Sequence, residues 1–269
     1  DSGLEYKVGD ALAVLPENPQ DIVDNLIENQ GWDPLQMIDA GKGEKTLREA
    51  LKKDVEIHRV NKRFVSSLID KVESSGLKIN VKITSRRRMS VDGKTILDWD
   101  SESGDTLSGL NSSVPGDDPV AKVENLDSDS SAMEDYIWSR DYLDVLDEFT
   151  VNYSPEEFIG LVDRLKPRLY SIASSLDAHP GLVELTVGIV RYSHHDRDRG
   201  GLCTIFMADE IDDSDLPIRV FMSPTKTFVL PDDPNVDIIM VGPGTGIAPF
   251  RAFMEQRIFD KAPGRNWLI

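Results

Sequence analysis

Four consecutive residues, Arg168, Leu169, Tyr170 and Ser171, bring a fixed positive charge, an aromatic ring and a hydroxyl group together directly after Pro167. An arginine guanidinium can form paired hydrogen bonds with a pyrophosphate. A tyrosine ring can cover a planar heterocycle, and a serine can form a hydrogen bond at its edge. The tetrapeptide therefore suits an anionic ligand with a planar ring. Taken alone, it is more simply an edge strand with a solvated arginine.

Two glycine-rich turns add candidate phosphate sites. Gly200 and Gly201 precede a predicted short helix, and the segment Gly242–Gly246 connects the apolar strand Val236–Val241 to a predicted helix over 247–259. Unpaired N–H groups and the helix dipole favour an anion at such junctions. Glycine pairs also make ordinary turns. The second turn is the stronger candidate, although it has neither the dinucleotide-binding fingerprint nor the P-loop pattern.

The surrounding elements change in character along the chain. Apolar residues at helical spacing predict helices between Pro19 and Phe149, interrupted by an acidic, serine-rich loop at about 84–131. Short strands predominate after Pro167, and a strand-turn-helix unit begins near 233. We therefore predict an α+β protein. The change of character near 233 predicts a domain boundary there.

Composition excludes several classes of function. The formal net charge of the 269 residues is -18, and this acidity argues against nucleic acid or an anionic membrane as a partner. A single cysteine, Cys203, excludes a disulfide framework within the chain and fits a reducing, cytoplasmic compartment. No apolar stretch has the length of a membrane span, and no secretory signal is recognisable.

Other reactive residues carry weaker hypotheses. His194, His195 and Asp196 are adjacent at a predicted hairpin tip, so no spaced ligand set exists and we predict no metal site. Cys203 has no assigned base that would make it a nucleophile. The paired acids at 156–157 are interpreted as a helix start rather than as a glycosidase pair.

The motifs occur in a specific order along the chain: Arg168-Leu169-Tyr170-Ser171, Thr186-Val187-Gly188, Tyr192, Gly200-Gly201, and Gly242 to Arg251. Together they resemble the ferredoxin-NADP reductase-like module of the diflavin reductases, and most nearly that of the flavoprotein (alpha) components of NADPH-sulfite reductases. The resemblance implies an antiparallel FAD-binding β-barrel with an inserted helical connecting domain at 19–149. It also implies that 233–269 is the truncated start of an α/β NADP-binding domain.

The resemblance also implies roles for individual residues. Arg168 would pair with the FAD pyrophosphate, Tyr170 would stack on the isoalloxazine, and Ser171 would be the catalytic residue near its reactive edge. The alternation of side chains along a strand does not predict this role for Ser171, because it puts Arg168 and Tyr170 on one face and Ser171 on the other. The implied cofactor-binding residues are Arg168, Leu169, Tyr170, Ser171, Thr186, Val187, Gly188 and Tyr192 for FAD, Gly200, Gly201, Leu202 and Cys203 for its phosphates, and Gly244, Thr245 and Gly246 for NADPH. Cys203 stands where the family usually has serine or threonine, and a thiol is a weaker donor.

The implied function is electron transfer from NADPH through FAD to FMN and then to a haem protein such as sulfite reductase. The FMN would lie on a flavodoxin-like domain absent from this chain, and both chain ends look cut. We therefore expect a fragment that binds FAD without complete NADPH chemistry. Two alternatives stay open: another acceptor, such as a monooxygenase or a nitrate- or nitrite-assimilating partner, and a non-catalytic scaffold that has lost flavin. Cys203 and the acidic insertion favour the scaffold.

Overall fold

The computed structural model describes residue 3 and residues 5–75, 130–149, 151–194, 197–211 and 218–269. Contacts between Cα atoms divide the chain into two units, Asp1–His58 with Ser154–Ile269, and Arg59–Tyr153. Most of the predicted loop at 84–131 lies outside the described residues, as do His195 and Asp196. No described helix combines the length and the apolar character needed to cross a lipid bilayer.

The described elements alternate between short strands and short helices. The strands are β1 (Ala11–Leu15), β2 (Met37–Asp39), β3 (Glu44–Thr46), β4 (Arg168–Ser171), β5 (Arg191–His194), β6 (Arg197–Gly200), β7 (Arg219–Ser223), β8 (Ile238–Met240) and β9 (Asn266–Leu268). The helices are α1 (Gln20–Gln30), α2 (Leu47–Lys53), α3 (Lys62–Ser75), α4 (Ser130–Trp138), α5 (Tyr142–Phe149), α6 (Pro155–Leu161), α7 (Leu202–Ile205) and α8 (Ala248–Phe259). A π-helix, Phe206–Glu210, continues α7, and a 3-10 turn, Gly244–Ile247, precedes α8.

Strand β1 is the centre of the first unit. It pairs antiparallel with β4 on one side and with β7 on the other. Its middle residues are buried on both faces, and Pro16, which has no N–H for the ladder, follows its end. Leu12 and Val14 join Ile172 and Cys203 in one apolar cluster beneath the sheet. The sheet therefore holds β4 rigidly at its edge.

The remaining strands pair two by two. β5 and β6 form an antiparallel hairpin, and β8 pairs in parallel with β9, as expected for the start of an α/β unit. β2 and β3 form a second hairpin that the sequence did not predict. Gly41 and Gly43 between them have φ values of 81° and 88°, which glycine adopts without strain.

Among the described residues, the strands do not close into a barrel. The segment Leu182–Tyr192 forms regular ladder pairs only from Arg191 onward. Before that it makes a single bridge, between Leu185 and Ile172. Leu182 N donates to His179 O, and Glu184 N donates to Ser174 Oγ. Loop residues 174–179 therefore accept the hydrogen bonds that a neighbouring strand would otherwise accept. The α+β class with antiparallel sheets is confirmed, and the barrel stays a prediction.

Local capping explains why several helices begin where they do. Thr46 Oγ1 accepts a hydrogen bond from Glu49 N at 3.3 Å, and Ser154 and Glu157 form a complete capping box. The predicted helical stretch from Met133 to Phe149 is two helices. Asp141 Oδ1 accepts from Asp144 N at 3.0 Å, so Asp141 caps α5 and starts it separately from α4.

The second unit, Arg59–Tyr153, contains only helices as regular elements in its described part. Phe64 of α3 packs edge-on against Tyr142, with ring centroids 4.8 Å apart, and lies 5.1 Å from the ring of Tyr153. This unit starts later than the predicted helical domain at 19–149, because α1 and α2 cluster with the first unit. The domain boundaries remain a prediction.

Candidate functional site

Strand β4 presents its two faces differently. Arg168 and Tyr170 are half-buried, whereas Leu169 is 61% exposed and Ser171 is exposed. This is the alternation of an ordinary strand, so the catalytic candidate Ser171 lies on the opposite face from Arg168 and Tyr170. A ligand that touches all three must pass along the open edge of β4.

Tyr170 and Cys203 meet on the buried side of β4. Tyr170 packs against the apolar cluster that contains Cys203, and the tyrosine hydroxyl forms a hydrogen bond with the thiol. Burial raises the pKa of the Cys203 thiol, although the hydrogen bond from Tyr170 and the nearby charge of Arg168 oppose that rise. The thiol is therefore protonated at neutral pH, which disfavours a nucleophilic role.

Arg168 is held by two protein groups. Its Nη2 donates to Glu56 Oε2 at 2.7 Å, and its Nη1 donates to Lys166 O at 2.6 Å. These bonds use two of the five guanidinium N–H donors and fix the direction of the side chain. Sequence reasoning missed Glu56, because it lies in the extended segment before α3, far from Arg168 along the chain.

The turn at Gly200 and Gly201 is tied to Val190. Gly201 N donates to Val190 O at 3.0 Å, and Thr204 Oγ1 accepts from Val190 N at 3.4 Å. A Cβ atom on Gly200 would collide with the side chain of Ile205, and one on Gly201 would lie 2.8 Å from Thr204 Oγ1. Local packing thus requires both glycines. Leu202 is 5% exposed, so its side chain belongs to the core.

The segment Thr186–Ile189 runs beside this turn. The bridge between Ile172 and Leu185 puts Thr186 opposite Ser171 in the antiparallel register. In the part of the chain that the structure describes, Thr186 to Gly188 make no hydrogen bonds to protein groups. Backbone groups of this kind pair with water or with a ligand.

The second glycine-rich turn approaches this segment. A Cβ atom built on Gly188 would lie 3.3 Å from Thr245 Cγ2. Gly244 has a φ of 57°, and a Cβ atom on Gly242 would lie 2.7 Å from Gly246 O, so the turn is tight. The structure thereby brings together the segment assigned to FAD, which ends at Gly188, and the turn assigned to NADPH, which contains Thr245.

The predicted residues approach one another pairwise within the first unit. Tyr170 packs against the cluster that contains Cys203, Gly201 bonds to Val190, and Gly188 approaches Thr245. Tyr192 on β5 is 49% exposed and is separated from Gly188 by Ile189 to Arg191. A fixed cation, a half-buried aromatic ring and unpaired backbone groups in neighbouring segments fit an elongated anionic ligand with planar rings, such as a dinucleotide. Among the described residues, no three His, Cys, Asp or Glu side chains cluster to hold a metal ion.

One family model matches part of the chain. Residues 106–206 match a family model described as an FAD binding domain, and that range includes Arg168, the Thr186–Gly188 segment and the Gly200–Cys203 turn. These residues are therefore similar to FAD-binding domains, in agreement with the resemblance drawn from the motifs of the chain.

Three similar proteins share one name. Over 269 residues and 100% of this chain, the sulfite reductase [NADPH] flavoprotein alpha-component of Bacillus subtilis (strain 168) is 34% identical. The components of the same name from Zymomonas mobilis and from Vibrio cholerae serotype O1 are 32% and 31% identical, also over 100% of this chain. The chain spans only 36% to 37% of the length of these three relatives. It is thus related, over its whole length, to one part of the flavoprotein alpha-components of NADPH-sulfite reductases.

Proposed function

We propose that the chain is the FAD-binding part of an NADPH-dependent flavoprotein reductase. Electrons would pass from NADPH through FAD to FMN on a flavodoxin-like domain, and then to a haem protein such as a sulfite reductase subunit. The approach of Thr245 to Gly188 is the observation that carries this proposal. It joins a candidate flavin segment to a candidate nicotinamide turn, as hydride transfer between two cofactors requires.

The chain's own residues would bind and orient the cofactor. FAD, when bound, supplies the ability to accept a hydride and to release electrons one at a time. Arg168 would donate its remaining N–H groups to the pyrophosphate, and the Gly200–Cys203 turn would contribute backbone amides. Ser171 would hold a hydrogen bond at the edge of the reacting ring, next to Thr186. Gly244 to Gly246 would approach the nicotinamide.

The finer domain assignment belongs to the same proposal. Residues 1–18 and 150–232 would build the FAD-binding barrel, 19–149 the connecting domain that orients the FMN domain, and 233–269 the start of the NADP-binding domain. The formal charge of -18 suits docking to a basic partner surface, and the single cysteine suits a location in the cytoplasm.

A titration of the purified chain with FAD tests the proposal. We expect a yellow complex with one FAD per chain that releases free FAD on denaturation. FMN is the matched control ligand, because it has the same ring system without the adenylate half that the Arg168 and Gly201 region would hold. FMN should bind far more weakly. A chain that takes up no FAD would contradict the proposal.

A non-catalytic scaffold is the second candidate. Arg168 is bonded to Glu56 and Lys166, and Gly200 packs against Ile205, so protein groups already account for these residues structurally. The same titration separates the two candidates, since a scaffold stays colourless. If FAD binds, the acceptor still has to be identified. Turnover of sulfite reductase, monooxygenase and nitrite-reducing partners by the intact polypeptide distinguishes the possible acceptors.

A further inference from the structure

Helix α8 carries a charged residue in its first turn that reaches the opposite segment of the site. Arg251 Nη2 forms an ion pair with Glu184 Oε2, and Arg251 Nε lies 3.3 Å from Glu255 Oε1 one turn later. The Arg251 guanidinium therefore lies between Glu255 of the same helix and Glu184 of a different segment. The pair links two segments that are 67 residues apart in the sequence.

A second set of polar contacts lies beside this pair. Glu255 Oε2 accepts from Ser175 N at 3.0 Å and lies 3.6 Å from His179 Nε2. Ser175 Oγ and Gln256 Oε1 are 2.6 Å apart, and Gln256 Nε2 donates to Asp177 Oδ2 at 2.9 Å. Ser175 is fully buried, whereas the Gln256–Asp177 bond and the Arg251–Glu184 pair are exposed. Together they fasten α8 to the loop that leads into Glu184.

Arg251 and Glu184 each lie a few residues along the chain from a residue of the candidate site. Thr245 is in the 3-10 turn that continues directly into α8, so Arg251 and Thr245 belong to one rigid piece. Glu184 precedes the bridge residue Leu185 and lies four residues before Gly188. A shift of the ion pair would therefore change the separation of Thr245 and Gly188.

Apolar packing alone does not fix the position of α8 relative to the loop that contains Glu184. The same helix also packs through Phe253, whose ring stacks on Phe228 with centroids 5.1 Å apart, and through Ala252 against Val8 and Met240. Hydrophobic contacts are non-directional and permit sliding or rotation of a helix. An arginine fork between two carboxylates is directional.

We infer that Arg251 is a positioning residue that aligns the Gly244–Gly246 turn with Gly188. It acts through Glu184 and Glu255 and touches neither cofactor segment itself. The importance of this alignment for hydride transfer rests on the proposed function, because reacting groups displaced by about 1 Å lose much of their rate. The alignment itself is a property of the folded chain and can be measured without flavin.

A disulfide reporter measures the alignment directly. Gly188→Cys with Thr245→Cys places two thiols at the approach, and disulfide formation requires Cβ atoms about 3.5–4.5 Å apart. The native Cys203 is 3% exposed, and the Gly188→Cys single variant shows whether it interferes. We expect rapid oxidation of the pair in the otherwise unchanged chain, and oxidation slower on the order of tenfold when Arg251→Ala is added. Arg251→Lys should restore part of the rate.

Arg265→Ala provides the matched control. Arg265 is an exposed arginine near the same helix, but it pairs with Asp237, 2.7 Å away, and not with the loop. It should leave the oxidation rate unchanged. If Arg251→Ala does not fold, as judged by circular dichroism, Glu184→Gln removes the partner charge and should slow oxidation in the same way. Oxidation at the unmodified rate in the folded variant would overturn the inference, and it would do so whether or not the chain binds FAD.

Discussion

Arg168 and Glu56 form an ion pair, with Nη2 of the arginine 2.7 Å from Oε2 of the glutamate. The glutamate side chain is 12% exposed and the arginine side chain 36%. Glu56 Oε1 also accepts from His58 N at 3.3 Å, which orients the carboxylate. The pair fixes the direction of the guanidinium through protein groups, and such preorganisation lowers the ordering cost of binding.

Loss of Arg168 should weaken FAD binding. Hydrogen bonds to a charged group contribute about 1.5–3 kcal/mol, so Arg168→Ala should raise the dissociation constant for FAD about 10- to 100-fold. Quenching of flavin fluorescence measures this constant. Arg219→Ala, on β7 of the same sheet, removes an exposed arginine and is the matched control. Equal affinities of the two variants would show that Arg168 does not contact the ligand.

Substitution of Gly200 should destabilise the fold. Gly200→Ala forces a Cβ atom into Ile205 and to within 3.0 Å of Val190 O, and such overpacking costs about 1–3 kcal/mol of the free energy of unfolding. Gly160→Ala is the matched control, because nothing lies within 4 Å of a Cβ atom at that exposed helical position. It should be neutral or stabilise the protein by up to about 1 kcal/mol. Urea denaturation measures both, and similar values for both would contradict the packing explanation.

Alkaline pH should destabilise the chain through Tyr170 and Cys203. Burial raises the pKa of each group above its ordinary value, 10.0 for the tyrosine and 9.0 for the thiol. The unfolded chain therefore loses these protons first, and the free energy of unfolding falls as the pH rises above about 9. Below that pH the contribution is fully present. In denaturation series at increasing pH, Cys203→Ala and Tyr170→Phe should each show a shallower decline, and an unchanged slope in both would refute this assignment.

The capping box of α6 should contribute measurable stability. Ser154→Ala removes the acceptor for Glu157 N, which lies 3.2 Å from Ser154 Oγ, and should cost about 0.5–2 kcal/mol of unfolding free energy. Ser66→Ala, at an exposed position within α3, tests for a general effect of serine replacement and should change little. Thermal unfolding distinguishes the two variants. Equal midpoints would show that the cap is dispensable.

The helices were predictable because their determinants are local. Thr46 and Ser154 each cap a helix through a residue three positions later, and such spacing is visible in the sequence. The helix predicted over 247–259 likewise agrees with α8 to within one residue. The missed break between α4 and α5 depends on the cap at Asp141, a local signal that apolar periodicity concealed.

The site was predictable only in part, because its geometry depends on contacts that no local pattern encodes. Motif order assigned several segments to a cofactor, which stays a prediction, and the structure brings two of them together at Gly188 and Thr245. The partner of Arg168 lies 112 residues earlier in the chain, and that of Arg251 lies 67 residues earlier. Charge alone cannot select Glu56 or Glu184 among the 48 acidic residues.

The central position of β1 has a consequence for synthesis of the chain. Its partners are β4 and β7, and Ala11 pairs with Ser171 and with Ser223. At about 5–20 residues per second, the ribosome needs roughly 10–40 s to make the chain between Ala11 and Ser223. Because β4 is synthesised before β7, at least one hydrogen-bonding edge of this apolar strand has no partner throughout that interval. The first unit therefore depends on protection of its N-terminal strand until translation of β7 is complete.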